Sequence, residues 1–146
     1  MSLSVSDPQD RVEQLIALTH TLTERMTREL AAFEARRPLD VAAELEETAR
    51  LANLYRHECM RVKANPGLIA EADGASRNRL KDATRGFESI LTRHAAGLEA
   101  ARTFTEGLVR AVAQEVAAGR AAGAGYAASG AATAGDARAV TLNRKA

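Results

Sequence analysis

The most reactive side chains of this sequence are three histidines and one cysteine: His20, His57, His94 and Cys59. Two residues that are two positions apart on a helix point in directions about 200° apart, so His57 and Cys59 cannot share a metal ion. The sequence has no HExxH or CxxC motif and no Ser/His/Asp or Cys/His set with supporting turns. We therefore predict a non-enzymatic protein with no metal and no cofactor.

One histidine keeps a signalling function open as an alternative. Histidine phosphotransfer domains place an exposed histidine on a long helix of a bundle, and Gly97 lies three residues after His94, where a small residue would give a kinase access. The position of His94 on an apolar stripe argues for burial instead. Ala96 also stands where such domains generally carry a lysine beside the glycine.

Composition and charge exclude several classes of protein. Aromatic residues make up 3% of the chain and tryptophan is absent, so its apolar side chains suit slim packed helices better than a deep substrate pocket. Residues 1–118 carry 16 Lys and Arg against 18 Asp and Glu, and residues 119–146 carry 4 against 1. Without a basic cluster, binding to nucleic acid is not expected.

The expected compartment is the cytoplasm. A single cysteine fits a reducing environment. The N-terminus lacks the basic start and apolar run of a signal peptide, and no run of about 18 apolar residues exists that could span a membrane. We predict no membrane insertion.

The first of three predicted helices covers residues 8–35. Asp7 is the expected N-cap, and Pro8 fits the first helical position, where a missing donor costs nothing. Apolar residues then recur every three or four positions, which is typical of one buried helix face. The helix should end where Arg37 precedes Pro38, because a residue before proline avoids helical geometry.

The second predicted helix covers residues 40–63, with Asp40 as its expected cap. The sequence ANPG at 64–67 is a strong helix breaker and ends it. In the short connection that follows, Leu68 and Ile69 are expected to cover the end of the bundle.

The third helix is predicted over residues 76–118, starting at Asp73 or Ser76. A single apolar stripe runs along it. Three glycines interrupt the stripe, and each either costs up to ~1 kcal/mol relative to alanine or permits close approach of another helix. These glycines are Gly86, Gly97 and Gly107.

These lengths predict an all-α fold: an antiparallel three-helix bundle or coiled coil with a long third helix, forming one domain over residues 1–118. At 1.5 Å per residue the helices are about 42, 36 and 63 Å long, so the end of the third has no predicted neighbour in this chain. An uncovered apolar stripe marks an interaction site. The candidate partner-binding residues are Leu98, Ala101, Thr105, Leu108, Val112 and Val116.

The last segment, residues 119–146, is predicted to be a flexible tail. Sixteen of its residues are alanine or glycine, with no apolar period. Its end, AVTLNRKA, has the alternating form of a short docking segment. The candidate docking residues of the tail are Tyr126, Val140, Leu142 and Arg144.

This layout resembles the FlgN-type flagellar export chaperones, small cytosolic helical proteins that hold hook-filament junction subunits before type III secretion. The resemblance depends on the three-helix arrangement, the long third helix and the tail, where Tyr126 to Gly130 reads Y-x-x-x-G and the chain closes on VTLNRKA. It is similar to alphaproteobacterial members of that family, although the Ala/Gly repeat is richer than their pattern requires.

The resemblance implies a chaperone whose C-terminal helical region binds a terminal amphipathic segment of hook-associated proteins, with export apparatus components as further partners. That region corresponds to residues 98–116, the stripe that the length argument selects. Two other interpretations of the stripe stay open. It would form the interface of a structural coiled-coil homodimer, or Leu108, Val112 and Val116 would pack against the first helix.

Overall fold

The protein is all-helical in a computed structural model, which describes the backbone of residues 2–142 and the side chains of residues 2–125. The chain divides into two compact units, Met1–Arg102 and Thr103–Ala146. The predicted all-α fold with a long last helix is confirmed. The helices are α1 (Pro8–Glu34), a 3₁₀ turn (Pro38–Val41), α2 (Ala42–Ala64), α3 (Gly67–Ala70) and α4 (Gly74–Leu142).

The start and end of α1 follow from local chemistry. Asp7 is the N-cap as predicted, and its carboxylate accepts a hydrogen bond from the backbone N–H of Asp10 at 2.8 Å. Beyond the last turn, Arg36 adopts a φ of 58°, a left-handed conformation that takes the chain out of the helix just before Pro38.

The start of α2 differs from the prediction. Asp40 does not cap it, because Pro38 initiates a 3₁₀ turn that already contains Asp40. The Asp40 carboxylate instead lies 3.5 Å from Nε of Arg37, and the N-cap of α2, Val41, provides no side-chain hydrogen bond. The cap prediction for Asp40 is therefore wrong.

The beginning of α4 agrees with one of the two predicted starts. The carboxylate of Asp73 accepts a hydrogen bond from the backbone N–H of Ser76 at 2.7 Å, so Asp73 caps the helix and Ser76 lies in its first turn. The connection before it is not a plain loop, since Gly67–Ala70 forms the single turn α3. Ile69 of that turn packs against the buried cluster of Val12, Ile16 and Ala72, which agrees with its expected place at the end of the bundle.

The C-terminal end of α4 lies well beyond the predicted end near residue 118. Its backbone is helical as far as Leu142. Eleven of residues 119–146 are alanine, the strongest helix former, which explains why a glycine-interrupted segment can still be helical. That this segment acts as a tether for a partner stays a prediction.

The main apolar core lies in the first unit and joins α1 to the first turns of α4. The Tyr55 ring of α2 and the Phe87 ring of α4 pack in a T-shaped arrangement, with centroids 4.9 Å apart. This packing fixes α4 on α1 and α2 before the helix reaches the second unit. The buried members of the cluster are Leu18, Leu22, Met26, Leu30, Phe87 and Ile90.

Of the three glycines in the stripe of α4, Gly97 alone is closely approached by another helix. A Cβ built on Gly97 would lie 2.6 Å from Cδ1 of the buried Leu30, whereas one on Gly86 or Gly107 would meet nothing within 4 Å. The close-approach interpretation therefore holds at Gly97, and the other two glycines only weaken the helix.

The two glycines Gly86 and Gly97 predict opposite responses to alanine. Gly86→Ala should raise the free energy of unfolding by up to ~1 kcal/mol, because alanine is the better helix former. Gly97→Ala should leave the protein about 1–3 kcal/mol less stable than Gly86→Ala, because its methyl group overpacks Leu30. Urea unfolding followed by circular dichroism measures both, and equal stabilities would contradict the close approach.

Candidate protein-binding site

His94 is part of the core rather than an exposed phosphoacceptor. His94 is only 8% exposed, and its Nε2 lies 2.6 Å from Oε2 of Glu29. The Phe33 ring packs beside the imidazole, with the two centroids 5.5 Å apart. A phosphotransfer domain needs its histidine at the surface, so this geometry does not favour the signalling alternative.

Glu29 joins three helices through one buried carboxylate. Its second oxygen, Oε1, accepts a hydrogen bond from the hydroxyl of Thr48 on α2, while Oε2 meets His94 on α4. Arg25 donates to the same threonine hydroxyl at 2.9 Å. Each polar group of this junction has a partner, which is the condition for burying it without a large desolvation cost.

The other reactive side chains do not converge. His20, His57 and Cys59 are exposed. Among the residues that the structure describes, no three His, Cys, Asp or Glu side chains come together as a metal site. The described part of the chain likewise includes no helix with the length and apolar character needed to cross a membrane.

The predicted partner-binding residues fall in both units. Leu98 and Ala101 belong to the first unit, and they are exposed and half-buried respectively. The remaining four belong to the second unit, where every described side chain is exposed. Those four residues are Thr105, Leu108, Val112 and Val116.

Two apolar residues of this stretch were not among the predicted site residues. Phe104 precedes Leu108 by one helical turn, and Val109 precedes Val112 and Val116 by three and seven positions, so the same periodicity identifies both. We call Phe104, Leu108, Val109, Val112 and Val116 the α4 apolar face. Their exposed fractions run from 48% to 62%.

The α4 apolar face is a mainly apolar stripe. Thr105 and Glu115 lie on the same side of the helix, while other charged residues, such as Glu106 and Arg110, lie outside it. Contiguous exposed apolar surface on a folded protein marks an interaction site. A partner helix can cover such a stripe with its own apolar residues at positions i, i+3, i+4 and i+7.

The four docking residues predicted in the tail cannot be placed in this site. The side chains of Tyr126, Val140 and Leu142 and the whole of Arg144 lie outside the described residues.

The fold defines an all-helical protein whose last helix carries the exposed α4 apolar face. Comparison with known proteins identifies the family of the chain. The sequence is 49% identical over 149 residues to the flagellar basal-body protein FlbY of Caulobacter vibrioides, and the alignment covers all of both chains. The chain belongs to this flagellar-related family, the FlbY family. No protein-family model matches the sequence, and no solved structure matches it either.

The Glu29 junction predicts a large effect on stability from one buried residue. Glu29→Ala removes the partner of the buried His94 imidazole, and an unsatisfied buried group costs about 1–3 kcal/mol. The Thr48 hydroxyl loses one bond as well but keeps Arg25 and the Glu44 carbonyl as partners. With the added cavity, the free energy of unfolding should fall by about 3–5 kcal/mol.

Glu34→Ala is the matched control for this loss. Glu34 lies on the same helix and pairs with Arg93 at 3.5 Å, but both side chains are mostly exposed. Its replacement should change the stability by less than about 0.5 kcal/mol. Equal losses for the two variants in a urea titration would refute the role of the buried junction.

Proposed function

We propose that this protein acts in flagellum assembly as a cytoplasmic, non-enzymatic chaperone. It holds a hook-associated subunit at the α4 apolar face until that subunit is exported through the type III apparatus. The observation that carries the proposal is the exposure of five apolar side chains on one stretch of helix. The flagellar context is supported by the name of the FlbY relative, which shares 49% of its residues with this chain.

The complex would be stable because two apolar surfaces, the α4 apolar face and the apolar stripe of the subunit, would cover each other. A terminal amphipathic segment of an exported subunit has no partner before assembly and would aggregate through its apolar stripe. Packing that stripe on the α4 apolar face removes both surfaces from water, with a gain of about 25 cal/mol per Å² of apolar area. The subunit would remain unassembled while it is bound.

The name of the relative favours a second candidate function. FlbY is called a flagellar basal-body protein, and under this alternative the same face binds a component of the basal body instead of an exported subunit. The two functions differ in the partner and not in the surface. An experiment that identifies the partner therefore distinguishes them.

Charge substitutions in the face should abolish partner binding. Leu108→Asp with Val112→Asp places two carboxylates where apolar contact is needed, and losses of 2–4 kcal/mol for such central residues correspond to about 30- to 1,000-fold weaker binding. Because Leu108 and Val112 are exposed, the helical circular dichroism signal should stay nearly unchanged. Gln114→Asp with Ala117→Asp, exposed residues on the opposite side of the same helix, is the matched control.

The measurement is co-purification from the source organism with the wild type and both double variants. Hook-associated subunits that are lost with the Leu108 and Val112 double variant, and kept with the control, support the chaperone function. Basal-body components that are lost with the Leu108 and Val112 double variant, and kept with the control, support the second candidate function. A collapse of the helical signal in the Leu108 and Val112 double variant would show that these residues are ordinary core.

Light scattering tests the homodimer alternative directly. The chaperone function predicts that the purified protein leaves the α4 apolar face accessible over a range of concentrations. A tight dimer that is disrupted by Leu108→Asp with Val112→Asp would show that a second copy seals the face, which would contradict the proposed function.

A further inference from the structure

A second surface lies entirely within the first unit and involves none of the α4 apolar face. A groove of about 820 Å³ runs along the first turns of α4, between Pro66 and Ile69 on one side and Arg77, Lys81 and Arg85 on the other. Its length along α4, from residue 74 to residue 88, is about 21 Å at 1.5 Å per residue. This corresponds to about four turns of a helix.

The floor of the groove includes the apolar Leu80, through which the lining continues toward α2. A second cavity of about 230 Å³ shares Leu80 and Thr84 with the first and extends to Tyr55, Cys59 and Val62. These last three side chains lie four and three positions apart on α2, so they line one side of the joint groove. We call these two adjacent cavities, which share Leu80 and Thr84 in their lining, the α2–α4 groove.

The rim of the groove carries a row of like charges. Arg77, Lys81 and Arg85 follow one another at intervals of four residues, so they lie on the same side of α4. Nη1 of Arg85 lies 3.8 Å from Oδ1 of Asp82. Neither Arg77 nor Lys81 forms an ion pair with any residue that the structure describes. Like charges four residues apart destabilise a helix, and an acidic ligand would relieve that repulsion.

We propose that the α2–α4 groove binds an acidic amphipathic helix of a protein partner. The apolar face of that helix covers the floor at Leu80 and Tyr55, and carboxylates spaced four residues apart along its edge meet Arg77, Lys81 and Arg85. Glu88, which lines the far end of the groove, limits the cationic row there and favours an occupant whose acidic edge is no longer than about three turns. The proposal does not depend on the chaperone function.

The only cysteine of the chain provides a built-in reporter of occupancy. Cys59 lines the groove. Although the residue is exposed enough to react, the groove wall around it partly desolvates the thiol and raises its pKa, so less thiolate is present at a given pH and reaction with a thiol reagent is slower than for a free cysteine. A helix seated in the groove should slow that reaction further.

The test uses the full-length protein and two fluorescein-labelled helical peptides that share the same leucine face. Each peptide is about 18 residues long, which is long enough to span the groove. One peptide carries glutamate at positions i, i+4 and i+8 along its polar edge, and the other carries lysine there. Fluorescence anisotropy should show at least about tenfold tighter binding of the glutamate peptide, the ratio that about 1.4 kcal/mol of charge complementarity produces. That binding should weaken with added salt.

Charge reversal locates the site. Arg77→Glu with Lys81→Glu should weaken binding of the glutamate peptide about tenfold or more. Arg110→Glu with Arg120→Glu makes the same change of charge on exposed residues of the second unit and should leave binding within about twofold, since those residues lie outside the groove. Unfolding curves of both variants confirm that they remain folded.

We also expect Cys59 to react more slowly with a disulfide reagent when the glutamate peptide is present at a saturating concentration than when it is absent. Equal binding of the two peptides, equal losses in the two reversal variants, or an unchanged rate at Cys59 would each overturn the proposal. Equally tight binding of a single-stranded DNA oligonucleotide would also overturn it, because that would show a response to charge alone.

Discussion

The position of α4 depends on one buried carboxylate, that of Glu29. Its side chain is almost fully removed from water, and its two oxygens bind Thr48 on α2 and His94 on α4. An unsatisfied buried polar group at this place would cost about 1–3 kcal/mol, which favours the register in which the three helices satisfy it. The same register brings Gly97 against Leu30, where an added Cβ would lie 2.6 Å from Cδ1 of Leu30.

The core is concentrated in the first unit, and this has a consequence for the rest of α4. Among the described side chains, the buried residues all lie between Arg11 and His94. The apolar residues of the α4 apolar face therefore keep about half of their surface exposed, and most of the stability of a helix in a protein comes from packing of its apolar face. A binding partner would supply that packing, which links the architecture to the proposed function.

Much of the fold follows from local signals that the sequence displays. Asp7, Pro8 and Asp73 mark helix starts because capping depends only on a few neighbouring residues. The 3₁₀ turn at Pro38–Val41 does not follow from the cap signal of Asp40, because Pro38 begins a turn of its own that takes up this aspartate. The helical backbone beyond residue 118 contradicts the predicted helix end because the alanines of that segment outweigh its glycines.

The site is predictable only in part, for a different physical reason. Periodicity selects Leu108, Val112 and Val116, and it could also have selected Phe104 and Val109, since both repeat at helical spacing. The burial of His94 follows from the same stripe, but its partner Glu29 is 65 residues away in sequence, so no local pattern could reveal the pair. The α2–α4 groove likewise combines residues of separate helices and becomes visible only in the fold.

The most direct test of the central claim is amide hydrogen exchange along α4, measured with and without a purified hook-associated subunit. In the protein alone, the amides of residues 104–116 should exchange faster than those of residues 80–94, whose side chains pack in the core. Addition of the subunit should slow exchange over residues 104–116 and leave residues 80–94 unchanged. Exchange over residues 104–116 that does not respond to the subunit would contradict the account.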